Sequence, residues 1–243
     1  DKWNDRKVRD IQAVIGICSN RRAISGHIDM IVTHTRVNGA RKGVHCTDRE
    51  GLPIVLILLN KPYRVLCQFT DPDGRLTLAD FVEQAGFYAA GRLDFDSEGL
   101  LALTDEGGLQ ARISQPKSKV EKHYWAQVEG TPSDEQLEAL IEGVELKDGL
   151  AKAVHAKTIG PPSNLWDREP PIRYRQNVPD SWLEITLSAG KNRQVRRMTA
   201  AVGLPTLRLI RSRIGPWSIE DLAPGESRGI STQQAWGELR GLI

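Results

Sequence analysis

GRLDFDSEGLLALT, residues 91–104, places Arg92, Asp94 and Asp96 within five positions and then passes through Ser97-Glu98-Gly99 into an apolar run. Ser and Gly clustered between two non-polar stretches are a turn signal. The preceding FYAAGRLD (87–94) and the following GLLALTDEG (99–107) read as extended segments. The stretch therefore presents one cation and two carboxylates at a bend between strands, a candidate site whose reading depends on what the rest of the chain offers.

Working outward, LPIVLILL (52–59) is the longest apolar run and reads as a buried strand, because it is far too short to span a bilayer. DPDG (71–74) is a turn, and LTLADFVEQAG (76–86) suits a short helix ended by Gly86. GGLQARISQP (107–116) is a helix stopped before Pro116. EKHYWAQVEG (121–130) alternates His123, Trp125 and Gln127 against Tyr124, Ala126 and Val128, the period of a strand. TPSDEQLEALIEGV (131–144) is a helix capped by Ser133 or Thr131, with acids in its first turn. Residues 160–180 are rich in Pro and Arg around Trp166 and Tyr174 and read as a loop. SWLEITLSAG (181–190) and LPTLRLIRSRIG (204–215) alternate as strands, the second with Leu207 and Leu209 on one face and Arg208 and Ile210 on the other. Between them KNRQVRRMTAAVG (191–203) predicts a helix that opens with cations. That is the wrong sign for its dipole, at about 0.3–1 kcal/mol per charge unless an anion compensates. Strands and helices mix without a βαβ rhythm, so the fold class is α+β.

Composition allows a sizeable core, with 40% hydrophobic residues in 243. Net charge is only +2, but it is segregated. Residues 71–150 carry 17 acidic and 7 basic side chains, whereas 191–213 carry seven basic and none acidic. Such a concentration points to an anionic partner or to a solvated face. Cys18, Cys46 and Cys67 form no disulfide framework and fit a reducing cytoplasm. With His27, His34 and His45 they match no zinc spacing. No transmembrane segment or signal peptide is read, and no metal is expected.

The two aspartates admit several chemistries. Asp94, Asp96, Glu98 and Gly99 fall on positions one, three, five and six of a calcium loop, but position twelve is Asp105 and Arg92 would repel a cation. Aspartyl-phosphate chemistry would want a continuous apolar strand before the pair and a phosphate-binding glycine loop. A glycosidase needs two carboxylates about 5–10 Å apart, usually with several aromatics for the sugar. An Arg92–Asp94 ion pair with Asp96 opening a turn is a purely structural option, since residues two apart in an extended chain share a face. An ionised carboxylate beside arginine is equally useful to an enzyme. The cations of 191–213 suit a nucleic-acid backbone, and Tyr124 and Trp125 offer rings for a base. Together they suggest chemistry on a nucleotide taken out of its stack.

At this point the residues resemble a known family. GRLDFDSEGLLALT resembles the aspartate signature of pseudouridine synthases of the RsuA type, which modify ribosomal RNA. KHYWAQVEG is similar to that family's tyrosine-bearing strand, and GKNRQVRRM and LRLIRSRIG to its two C-terminal motifs. The likeness covers roughly residues 54–230. PPIRYRQNVPDSWLEITLSAGKNRQVRRM is closest to the large-subunit ribosomal RNA pseudouridine synthase E type. The resemblance implies a mixed, mostly antiparallel sheet flanked by helices around a catalytic cleft. It implies Asp94 as the catalytic aspartate, Arg92 beside it, Arg196 paired with its carboxylate from across the cleft, Tyr124 stacked on the target uracil and Leu209 packed near it. Lys191, Arg193, Arg197 and Arg211 are the expected RNA contacts, and Asp96 is expected to serve the loop structure or an RNA contact. The implied reaction breaks the bond from ribose to the ring nitrogen, turns the uracil and rejoins it through carbon, without cofactor. A non-catalytic rRNA-binding or ribosome-assembly factor is the alternative.

Three regions are expected. Residues 1–52 are basic, with ten Lys and Arg against six Asp and Glu. SNRRAISGHIDMIV (19–32) reads as a short helix and Asn38-Gly39 as a hairpin turn, so this segment partly resembles a degenerate S-four-type RNA-binding module. Residues 53–231 form the catalytic domain and 232–243 a C-terminal tail. The expected partner is ribosomal RNA, within an assembling large subunit, for a monomeric cytoplasmic protein.

Overall fold

The computed structural model describes residues 52–172, 178–219 and 221–241, with four short strands ahead of them. Those four are β1 (Ile31–Thr33), β2 (Arg36–Val37), β3 (Ala40–Arg41) and β4 (His45–Thr47). β1 pairs with β4 and β2 with β3, both antiparallel, so the β2–β3 ladder brackets Asn38-Gly39 as a two-residue hairpin demands. Ile31 and Val32 are strand rather than the end of the expected helix. The rest of that helix lies outside the described residues.

The body is organised on β5 (Ile54–Lys61), whose eight side chains are all buried. A continuous apolar run is what a strand covered on both faces requires. The further strands are β6 (Tyr88–Ala89), β7 (Glu98–Thr104), β8 (Lys122–Glu129), β9 (Val144–Leu146), β10 (Gly149–Ala151), β11 (His155–Ile159), β12 (Asp180–Leu187), β13 (Thr206–Ile214), β14 (Trp217–Ser218) and β15 (Ser227–Ser231). Helices are α1 (Gly107–Ser114), α2 (Asp134–Glu142), α3 (Gln194–Ala201) and α4 (Thr232–Arg240). The main sheet runs β11-β12-β8-β13-β7-β5-β15, with β6 and β14 attached at β7 and β13. Each of its ladders is antiparallel except β13–β7. This is the mixed, mostly antiparallel sheet expected.

Alternation along the strands divides the core. Leu100, Ala102, Trp182, Ile210 and Ile230 pack on one face with Leu109 and Ile113 of α1 and Ala235 and Leu239 of α4. On the other face Tyr124, Ala126, Leu183 and Leu209 pack with Leu140 of α2 and Val195 and Met198 of α3. A separate cluster, with Ile57, Leu59, Leu101 and Leu103, covers the β5–β7 half of that second face. The two clusters part where β7 meets β13, at the one parallel pairing of the sheet, and the candidate site lies there.

Two expectations are corrected. The segment after 231 is not a tail: α4 buries Ala235 and Leu239 completely, one helical turn apart, and its Trp236 donates to Glu106. Residues 76–86 form only the short 3-10 turn Leu78–Asp80, closed by reciprocal capping between Thr77 and Asp80. Gly86, at φ +90°, ends the following loop.

Candidate active site

Asp94 sits in a tight turn, with the Ser97 amide donating to the Asp94 carbonyl at 3.1 Å. Three outside contacts hold the turn. The Leu93 amide donates to Cys67 Sγ at 3.3 Å, the Arg64 amide to the Phe95 carbonyl at 2.9 Å, and Arg211 Nη2 to the Gly91 carbonyl at 3.3 Å. The turn delivers the chain into β7 through Gly99, which pairs in parallel with Arg211. Gly99 has φ +104°, and a β-carbon there would lie 2.4 Å from the Arg211 carbonyl oxygen. Only glycine allows β7 and β13 to approach this closely at that conformation.

A cleft of about 310 Å³ opens beside the turn, and Asp94, Arg92, Tyr124, Leu209, Lys191, Arg193 and Arg211 all line it. Tyr124 and Leu209 are nearly buried in its apolar wall, while the Asp94 side chain keeps 31% exposure. Seven of the nine residues expected at the site therefore converge. Arg92 is exposed on the rim and makes no ion pair with Asp94.

The carboxylate pairing differs from expectation. Arg193 grips Asp96 with two hydrogen bonds, at 2.7 and 2.8 Å, and its Nη1 stands 3.6 Å from Asp94 Oδ2. Arg196 turns to Asp96 instead of Asp94: Nη2 donates to the Asp96 carbonyl at 2.7 Å and Nε lies 3.6 Å from its carboxylate. The cause is where the helix begins. α3 starts at Gln194, and Arg193 stands outside it at φ +46°, so the nearest cation to Asp94 precedes the helix. Burial pushes the Asp96 carboxyl up, but the Arg193 hydrogen bonds and the charges of Arg196 and Arg193 outweigh it and hold it below the usual range.

Arg197 lies away from the cleft, in a two-pronged ion pair with Asp148 of the β9–β10 hairpin; Lys191 Nζ donates to the Asp148 carbonyl at 3.0 Å. The misplaced cations of α3 are thus compensated by the protein's own Asp96 and Asp148. Arg211 lines the cleft but is 4% exposed, and its N–H groups go to the Leu100 and Gly91 carbonyls. It supports the turn from below instead of presenting a free guanidinium to solvent.

Three features escaped sequence reasoning. Lys122 lines the cleft two residues before Tyr124, on the same face of β8. Strand periodicity could have found it, since Tyr124 was already placed. Lys61 is wholly buried beneath the turn, donating to the Pro62 and Val65 carbonyls, and burial pulls its amine down to about 8. On the opposite face Glu98 and Arg208 form a buried ion pair, joined by the Trp166 indole N–H donating to Glu98 at 2.8 Å and by Arg208 donating to the Trp166 carbonyl.

A family model described as RNA pseudouridylate synthase matches residues 55–201, which span β5, the Asp94 turn, β8 and α3. The chain belongs to that family. This synthase is 56% identical over 176 residues to the ribosomal large subunit pseudouridine synthase E of Vibrio vulnificus (strain CMCP6), covering 72% of this chain and 75% of the relative. It is 54% identical over 184 residues to the protein of the same name from Xanthomonas axonopodis pv. citri (strain 306), covering 74% and 96%. A crystal structure of a pseudouridylate synthase shares its fold with a TM-score of 0.60 and 27% identity, over 83% of this chain and 80% of that one. The family and E-type branch expected from the four motifs are those found. Among the described residues of the synthase, no helix is long and apolar enough to cross a membrane.

Proposed function

We propose that this synthase converts a uridine of large-subunit ribosomal RNA to pseudouridine, with Asp94 as the carboxylate acting at the ribose. The observation that carries this is the convergence of Asp94, Tyr124 and Leu209 on one cleft with a cationic rim, in a chain 54–56% identical to large-subunit synthases over 72–74% of its length. The reaction is an isomerisation. The C1′–N1 bond breaks, the C1′–C5 bond forms, one proton leaves C5 and one arrives at N1. A carboxylate in this position stabilises or traps the cationic sugar centre. Tyr124 stacks on the flipped base, and Leu209 closes the apolar wall. Arg193, shared between Asp94 and Asp96, keeps the turn oriented. Arg92 and Lys191 at the rim contact phosphates.

Residues 1–52 extend the RNA contact as an S-four-type module, a reading supported by their basic charge and the β2–β3 hairpin. We infer further that the protein acts as a monomer in the cytoplasm on rRNA of an assembling large subunit; the names of its relatives support the large-subunit rRNA part of this reading. The test is to map pseudouridines in rRNA from cells with and without the gene, and to assay Asp94→Asn for tritium release from uridine labelled at C5. The variant binds rRNA as wild type does and releases no tritium. Continued release would refute the role of Asp94, and binding without release by the wild type would favour a non-catalytic assembly factor.

A further inference from the structure

Lys122 is the unusual cation of the cleft. Its side chain enters the cleft wall from β8 while the residue is only 7% exposed. Among the described residues, no hydrogen bond or ion pair reaches its amine. The other buried cations beneath the turn are occupied: Lys61 by the Pro62 and Val65 carbonyls, Arg211 by the Leu100 and Gly91 carbonyls. Strand register places Lys61, Gly99, Arg211 and Tyr124 in one row across β5, β7, β13 and β8, with Lys122 one pleat from Tyr124. A nearly buried ammonium beside a buried guanidinium, with no carboxylate paired to either, is a site short of one negative charge.

The isomerisation supplies such a charge, and this step rests on Asp94 acting at the ribose. When the C1′–N1 bond breaks, its electron pair stays with the ring, which departs as a uracil anion with charge spread over N1 and the two carbonyl oxygens. Phosphates of the strand belong at the open rim. Lys122 instead shares the wall with the ring proposed to stack on the base. We propose that the protonated Lys122 amine, backed by Arg211, donates a hydrogen bond to a carbonyl oxygen of the departing uracil and stabilises its negative charge until C5 bonds to C1′. Lys122 keeps its proton throughout, while C5 releases one to water and N1 takes one up. Preorganised donors aimed at developing charge in a water-poor site are among the largest contributors to catalysis.

Burial, and secondarily the charge of Arg211, pulls the Lys122 amine down to about 8. The other charged or titratable groups facing the cleft are Asp94 and Arg92 of the turn, Lys191 and Arg193 before α3, and Tyr124 of its own strand. Losing the proton from Lys122 removes the stabilising charge, so kcat/KM, which reports the free enzyme, falls as pH rises through about 8.

The test uses the full chain and large-subunit rRNA transcribed with tritium at uracil C5. Lys122→Met lowers kcat roughly 100- to 1000-fold, the effect of removing one such donor, while rRNA affinity stays within about twofold because no phosphate contact is lost. Lys122→Arg restores at least about a tenth of kcat, since the group need only be a cationic donor, and shifts the alkaline limb upward because arginine stays protonated. Three results overturn the proposal. One is wild-type kcat in Lys122→Met. Another is weakened rRNA binding with kcat intact, the mark of a phosphate contact. The third is kcat/KM rising through pH 8 with no rescue by arginine, the mark of a neutral amine removing the C5 proton. Asp94→Asn, run alongside, separates the two ideas: its activity decides the role of Asp94 whatever Lys122 does.

Discussion

Breaking the Glu98–Arg208 pair from one side should damage the synthase more than removing it from both. The Glu98 side chain is 1% exposed and that of Arg208 5%, and they meet through two parallel hydrogen bonds of 2.8 Å. Arg208→Met leaves a buried carboxylate with only the Trp166 indole N–H, 2.8 Å away, as a hydrogen-bond donor. An uncompensated buried charge costs about 3–5 kcal/mol. For a body of this size each kcal/mol moves the melting temperature by about 2–4 °C, so the fall should be near 10–15 °C. Glu98→Gln keeps the Trp166 hydrogen bond but strands the Arg208 guanidinium, at a similar cost. The double variant Glu98→Gln/Arg208→Met strands no charge, so it should lose less than either single change. The coupling should be about 2–3 kcal/mol, near the top of the range for residues in one network. Urea unfolding of wild type, both single variants and the double variant closes the cycle. Losses that add to within about 0.5 kcal/mol would show that the two side chains do not depend on each other, and the reasoning would fail.

Gly99→Ala combines an unfavourable backbone conformation, at about 1–3 kcal/mol, with a clash against the Arg211 backbone at about 1–3 kcal/mol, so the melting temperature should fall by more than about 5 °C and tritium release should drop with it; a variant as stable as wild type would refute the close β7–β13 approach. Asp96→Asn tests the arginine clamp through pH. Because the Asp96 pKa is depressed, its contribution to stability is present above the unfolded value near 4 and is lost as pH falls through the folded one. Wild type should therefore melt above the variant at about pH 6, and the gap should close as pH falls below the unfolded value and through the depressed folded one; a gap that widens on acidification would mean that Arg193 does not stabilise the charged form.

The sheet was largely legible because its strands follow the burial pattern of their faces. β8 alternates strictly from Lys122 to Glu129, and β5 is apolar from Ile54 to Leu59 because both its faces are covered. α4 was not legible: its nine residues contain Gly237 and bury few apolar side chains, so no long periodic run announces it. The carboxylate partners were not legible either. Arg193, Arg196 and Arg197 fall within five residues, and Asp94 and Asp96 within three. Which arginine meets which aspartate depends on the residue at which α3 begins and on the left-handed backbone of Arg193. No residue type dictates a left-handed arginine, so composition and spacing could not choose among the pairings.

Charge segregation drew attention to residues 191–213 but misdirected it within them. Of the cations in 191–213, Arg193, Arg196 and Arg197 are engaged by Asp96 or Asp148, Arg208 by Glu98, and Arg211 by backbone carbonyls. The basic stretch therefore serves mainly to assemble the site. Lys122, a buried cation at the cleft with no partner among the described residues, comes from the acidic stretch 71–150 and owes its position to the period of β8. A charge already matched inside the protein has little left to offer a substrate, whereas an unmatched, desolvated one is worth more the deeper it lies. Residues that bind and stabilise the reacting base are thus better sought among unpaired cations on the cleft wall than in the densest basic run.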